Sequence, residues 1–210
     1  MIEIRRGIDR TVTYGPGVAT WHSFSFGAHY DPANLSFGRL VAHDLHVVAP
    51  GAGFEEHLHR ALEIVSWVLF GTLLHEESSG QQRATVRHGT VQHLSAGSGV
   101  EHSERNGGAG ELRFVQMWLL GEPGRPDYHN GENAIQLNGA RFDVLRLDGD
   151  IRLPGAPFVH VYVADGAVEI AGAILAAGDA ARIRDEAARA AGKAELLVWE
   201  MDGDERSREE

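Results

Sequence analysis

The 210-residue chain holds 26 glycines, 7 prolines and no cysteine, with a formal net charge of -11. That length suffices for one large or two small domains with a real core. The missing cysteines exclude a disulfide framework, a thiolate metal site and a thiol nucleophile, and the negative charge argues against nucleic acid held through its phosphates.

Residues 203–210 share in that charge and read as a solvated acidic tail. No apolar run approaches the length of a membrane span, and residues 1–10 lack the apolar core of a signal peptide. The expectation is a cytoplasmic protein without membrane or nucleic-acid partners, and a monomer.

Glycine-rich sequence with scattered proline suits many short strands and tight turns. Residues 2–5 and 11–14 fit short strands, and the alternation of Trp21, Ser23 and Ser25 with His22, Phe24 and Phe26 allows another. Asp31-Pro32 reads as a turn. His22 and His29 read as packing or surface residues. Leu40, Val47 and Val48 support a strand closed by Pro50-Gly51, and His43 and His46, three apart, do not share a strand face.

Residues 61–70 fit a buried strand, although 61–65 alone could be helical. Residues 72–77, 85–87 and 91–94 are further strand candidates, and Ala96-Gly97-Ser98-Gly99 is a tight loop. Residues 112–120 make a strong strand, with Val115, Met117 and Leu119 on one face and Gln116 and Trp118 on the other. The turn-rich residues 121–133 read as a linker. Beyond it, residues 142–147, 159–163, 168–170 and 196–199 fit strands. Residues 180–194, rich in Ala, Arg and Glu, have helix propensity and are expected to form a short helix or an irregular strand pair.

The chemistry concentrates between Gly51 and Glu104. His57 and His59 are two apart, as are His102 and Glu104. On a strand, residues i and i+2 point to the same face, so each pair can aim two ligands into one interior. Three imidazoles and a carboxylate suit a divalent metal such as iron, zinc or manganese, with positions left open. The bland alternative is that these are exposed polar positions on a half-buried sheet.

A faint repeat links residues 67–71 (WVLFG) with 162–166 (YVADG). Carried over by offset, His57, His59 and His102 fall on Arg152, Pro154 and a position near Ala191, so only the first copy is expected to bind metal. Gly51, His57, His59, Glu63 and Gly71 resemble the first cupin motif, and Gly89, Gly97 and His102 the second. Residues 22–26 (HSFSF), 48–71 (VAPGAGFEEHLHRALEIVSWVLFG) and 91–104 (VQHLSAGSGVEHSE) resemble more narrowly the pirin family, although Leu58 stands where that family usually has proline.

The resemblance implies an all-β fold of two cupin (jelly-roll) domains, the second compact and degenerate and completed by N-terminal strands. The expected domains are residues 1–128, a metal-binding cupin, and residues 129–202, a degenerate one. It implies iron, Fe(2+), on His57, His59, His102 and Glu104, with zinc, manganese, nickel, cobalt and copper as other candidates. Glu63 is not a ligand in that family and reads as either supporting the site or purely structural. The implied activity is quercetin 2,3-dioxygenase chemistry on a flavonol-like aromatic and dioxygen, with Glu104 as general base. The competing class is a regulatory or binding protein governed by the metal's redox state.

Overall fold

The computed structural model describes residues 1–80, 82–131 and 133–203, so most of the expected acidic tail lies outside the described residues. Among them the chain forms eighteen strands and one 3-10 turn, with no α-helix. None of it is a helix long and apolar enough to cross a membrane. The chain resolves into two units. One comprises Thr11–Ser36 and Leu40–Asn133. The other comprises Met1–Arg10, Phe37–Arg39 and the chain from Ala134 onward.

The first unit is built from β2 (Thr11–Gly15), β3 (Val18–His22), β4 (Leu40–Val48), β5 (Gly53–His59), β6 (Leu62–Phe70), β7 (Thr72–Glu77), β8 (Arg83–Arg87), β9 (Val91–Ser95), β10 (Val100–Asn106), β11 (Leu112–Leu120) and β12 (Asp127–Asn130). These form a seven-stranded sheet in the order β12-β9-β6-β11-β4-β3-β2 and a four-stranded sheet in the order β5-β10-β7-β8. Two apolar clusters fill this unit. Val48, Val68, Leu73, Val86, Leu112 and Phe114 make one, and Ile64, Leu94, Ala96 and Val100 the other. Fully burying one such side chain contributes about 1.5–3 kcal/mol.

The second unit holds β1 (Ile2–Arg5), β13 (Ala134–Leu137), β14 (Ala140–Arg152), β15 (Phe158–Ile170), β16 (Ala173–Ala176), β17 (Ala180–Arg184) and β18 (Arg189–Met201). β1 pairs with β17, so the N-terminal strand joins this sheet. Three of its strands are 13 residues long. Each does the work of two strands in the first unit. β14 pairs with β18, and β15 with β16, β17 and β18, as β4-β5, β6-β7, β8, β9 and β10-β11 pair among themselves. The repeat is therefore real in the fold. Gly71 and Gly166 occupy matching bends at φ 89 and 79, and a Cβ at either would lie 2.7 or 2.2 Å from a neighbouring carbonyl oxygen.

One local expectation left open is resolved and three need correction. Residues 180–194 take the strand alternative rather than the helix. Ala181, Ala188 and Ala190 are buried there in the second unit's core, and tertiary packing overrides their helix propensity. The expected strand through Trp21 to Phe26 stops at His22, where Ser23 and Ser25 turn to bond the carbonyls of His43 and Asn34. The expected linker contains β12, which pairs with β9. The repeat offset is one residue out of phase. Arg152 and Ala191 are exposed, and the inward positions are Ile151, Leu153 and Ala190, so apolar groups stand where the first unit has histidines.

Candidate metal centre and adjoining cavity

β5 and β10 are antiparallel neighbours with His57 opposite His102. Alternation then puts His57 and His59 on one side of β5. Their ring centroids are 4.7 Å apart, and those of His57 and His102 lie 4.5 Å apart. A ligand nitrogen from each of His57, His59 and His102 lies within 4.8 Å of the others. The structure thus brings together the three histidines picked out by sequence spacing.

The environment keeps the His59 and His102 rings neutral. Burial, with the neighbouring imidazoles adding to it, lowers His59 and His102 to about 4. Nε2 of His59 and of His102 is buried without a hydrogen-bond partner. An orphaned imidazole nitrogen in a closed site costs about 1–3 kcal/mol, and a divalent cation removes that cost by accepting the lone pair. His57 Nδ1–H donates to the Glu55 carbonyl at 2.7 Å, which fixes the tautomer and leaves Nε2 as the ligand atom. The donor set therefore fits a divalent metal of the imidazole-binding kind.

Glu104 is 1% exposed. It groups with His102 and with His75, which spacing had not singled out. A shift in the β5–β10 pairing between His102 and Glu104 sets the carboxylate back from His57. His75 lies on β7, directly opposite Glu104. It is lowered to about 4, chiefly by burial, against the pull of Glu104, and its Nε2 is also buried and unpartnered. The signal that could have found it is the alternation Leu73-His75-Glu77, which places His75 on the inner face.

The Glu104 carboxylate hangs between two amides. Gln116 Nε2 donates to Oε2 at 2.8 Å and Gln92 Nε2 to Oε1 at 3.3 Å. Each amide is oriented from behind. Trp118 Nε1–H donates to Gln116 Oε1 at 3.0 Å, and Tyr128 O–H to Gln92 Oε1 at 3.4 Å. Burial and the charges of Glu104 and Glu77 push the Tyr128 phenol well above its ordinary range, so it stays a donor.

Gln116 and Gln92 belong to a polar row that crosses the larger sheet from strand to strand. His22 stands opposite Asp44, Asp44 opposite Gln116, Gln116 opposite Ser66, and Ser66 opposite Gln92. The row separates the two apolar clusters. Its members pair with one another, which offsets their desolvation. Gln116 donates to Ser66 Oγ, and His22 Nδ1–H donates to Asp44 Oδ2.

Beside the histidines opens a cavity of ≈ 530 Å³, lined among others by Tyr14, Val18, Phe26, Phe54 and Trp118, with His57, Glu104, Gln116, Asp44 and His46. This size and mixture suit a small aromatic ligand. His46 Nδ1 pairs with Thr20 Oγ1 at 2.9 Å, and burial lowers it to about 4 against the opposing pull of Asp44 and Glu104.

Glu63 faces away from all of this. Its carboxylate accepts from His93 Nε2 at 2.7 Å and Ser95 Oγ at 3.0 Å. The chain turns between β5 and β6 at Ala61, φ 50, so the strand that would have carried Glu63 toward the site is interrupted. Its role is structural.

The family model described as Pirin matches residues 5–119. A protein of Mycobacterium tuberculosis, named provisionally as a quercetin 2,3-dioxygenase, is 38% identical over 237 residues, covering 95% of each chain. The quercetin 2,3-dioxygenase of Escherichia coli is 32% identical over 163 residues, 73% of this chain and 70% of that one. The crystal structure of bacterial pirin YhhW from Escherichia coli, in complex with nickel(II), superposes with a TM-score of 0.88 at 27% identity, over 97% of this chain and 100% of that one.

Proposed function

The chain belongs to the pirin family, and from that premise we propose that it is an iron(II)-dependent dioxygenase that opens flavonols such as quercetin. The observation that carries the reading is the group of neutral imidazoles with orphaned nitrogens at the wall of an aromatic-lined cavity. His57, His59 and His102 would hold the ion, with Glu104 as the fourth ligand that the family pattern implies. Bound there, the ion would act as a Lewis acid that acidifies an enolic hydroxyl and would serve the electron transfer to dioxygen.

The remaining work falls to the chain. Phe26, Phe54 and Trp118 line the cavity and supply apolar walls for a flat ring system. Glu104 takes the enol proton on a carboxylate oxygen. Each oxygen has two acceptor sites, so the bonds from Gln92 and Gln116 leave room for it. Those two amides fix the plane of the carboxylate, so the proton acceptor need not reorganise during the step.

The test is metal analysis of protein purified without added metal, followed by oxygen uptake over a flavonol series with each divalent ion loaded in turn. Uptake that depends on both metal and flavonol is the expected result. Protein that binds iron in the histidine cluster yet oxidises no flavonol with any ion refutes the oxygenase reading and returns the metal-dependent regulatory one.

A further inference from the structure

The polar row does not end at the catalytic carboxylate. It continues past Gln116 to Asp44 and His22, both of which line the cavity. Asp44 is 7% exposed. Thr13 Oγ1 pairs with His22 Nε2 at 2.9 Å, and the ring passes its Nδ1–H to Asp44 Oδ2 at 3.0 Å. Phe26 stacks on the same ring, centroids 4.4 Å apart and planes 10° from parallel. Thr13 and Phe26 thus hold the imidazole and, through it, the carboxylate.

One oxygen of Asp44 is so occupied. The other has no partner among the described residues, and the carboxylate forms part of the cavity wall. That oxygen is open to the cavity, where a donor on the occupant pairs with it in place of solvent. Its charge selects among occupants. A neutral hydroxyl is attracted, whereas a second carboxylate or a sulfate is repelled.

Spacing sets where that hydroxyl must be. Glu104 is suspended between Gln116 and Gln92, over the strand that carries Ser66. Asp44 lies two strands from Ser66 along the row, at about 4.8 Å per strand, or roughly 10 Å across the sheet. A ligand with its acidic enol at Glu104 reaches Asp44 with its opposite edge.

We propose that Asp44, held by His22 and Thr13, is the specificity-determining group at the far end of the cavity. The substrate class is then a flat aromatic enol bearing a second, neutral phenolic hydroxyl on its distal ring, rather than an unsubstituted or anionic one. This rests on reading the cavity as the substrate site, and the test separates the two.

Isothermal titration of the metal-free protein compares kaempferol, which has a distal-ring hydroxyl, with galangin, which lacks it. The wild type should bind kaempferol about tenfold more tightly or better, the scale of one hydrogen bond to a charged acceptor. Asp44→Ala should bind both as the wild type binds galangin. Asp44→Asn keeps the volume and a neutral acceptor, and should retain a few-fold preference, with circular dichroism confirming the fold of both variants. Equal binding of the two probes by the wild type, no binding of either, or an unchanged preference in a folded Asp44→Ala each overturns the proposal. A preference that needs Asp44, in a protein that oxidises no flavonol, upholds distal recognition while the oxygenase reading falls. Turnover without the preference does the reverse.

Discussion

Replacing His46 with glutamine tests the electrostatic account of the cavity wall without touching a proposed ligand. His46 is buried between Thr20, Phe54 and Phe114, with ring centroids 4.9 and 4.8 Å from the two phenylalanines. Burial lowers it to about 4 from its ordinary 6.5. Between those values the unfolded chain binds a proton that the folded protein refuses. Its share of stability is therefore full above pH 6.5 and is lost as pH falls toward 4. At about 1.36 kcal/mol per pH unit, one histidine withdraws about 1.4 kcal/mol between pH 7.5 and pH 5.5. Glutamine does not titrate and can still pair with Thr20. Urea unfolding of metal-free wild type and His46→Gln at the two pH values isolates this residue, because the other histidines contribute to both proteins. The difference in unfolding free energy should move toward the variant by about 1.4 kcal/mol on acidification. A difference that stays constant between the two pH values means that His46 titrates normally and that the wall is wetter than its burial implies.

His57→Ala or His102→Ala should remove most of the bound metal, whereas His43→Ala, on the other face of β4, should not; full occupancy in either of the first two variants, measured by elemental analysis, sinks the ligand assignment. Glu104→Gln should retain some metal yet lose turnover by about 10²–10⁴-fold, the usual worth of a general base, with partial recovery at high pH where the substrate is already ionised. Wild-type turnover by that variant at full metal loading would show that Glu104 is not the base.

The legible parts of the sequence were those whose signal runs along the chain. The β11 alternation of Val115, Met117 and Leu119 against Gln116 and Trp118 is a period of two, and so is the spacing within each ligand pair. What stayed hidden runs across the chain. Gln92, Ser66, Gln116 and Asp44 are lateral neighbours on four strands, and no window of sequence contains more than one of them beside another. Alternation within β7 puts His75 on the inner face but does not report its register opposite Glu104. Glu63 was ambiguous because its reading assumed one unbroken strand, and a single residue at positive φ, Ala61, redirects it. Tyr128 was hidden for the opposite reason. Its segment is so rich in turn residues that the short strand β12 within it carries no pattern of its own.

The two copies of the repeat also show what the polar row costs. In the second unit the inward positions carry Ile151, Leu153, Val168, Ile170, Leu175, Ala188 and Ala190, a continuous apolar core. The same architecture is thus stable without one inward histidine or glutamine in that core. In the first unit a row of polar side chains stands between two smaller apolar clusters, and three buried imidazole nitrogens are left without partners. Each such unpaired nitrogen opposes folding by about 1–3 kcal/mol, a large share of the 5–15 kcal/mol that holds a domain together. Packing alone does not favour that arrangement, because the second copy packs without it. It fits the proposed metal centre, where a cation would accept the lone pairs of those nitrogens, and the proposed ligand, whose hydroxyl would pair with the open oxygen of Asp44.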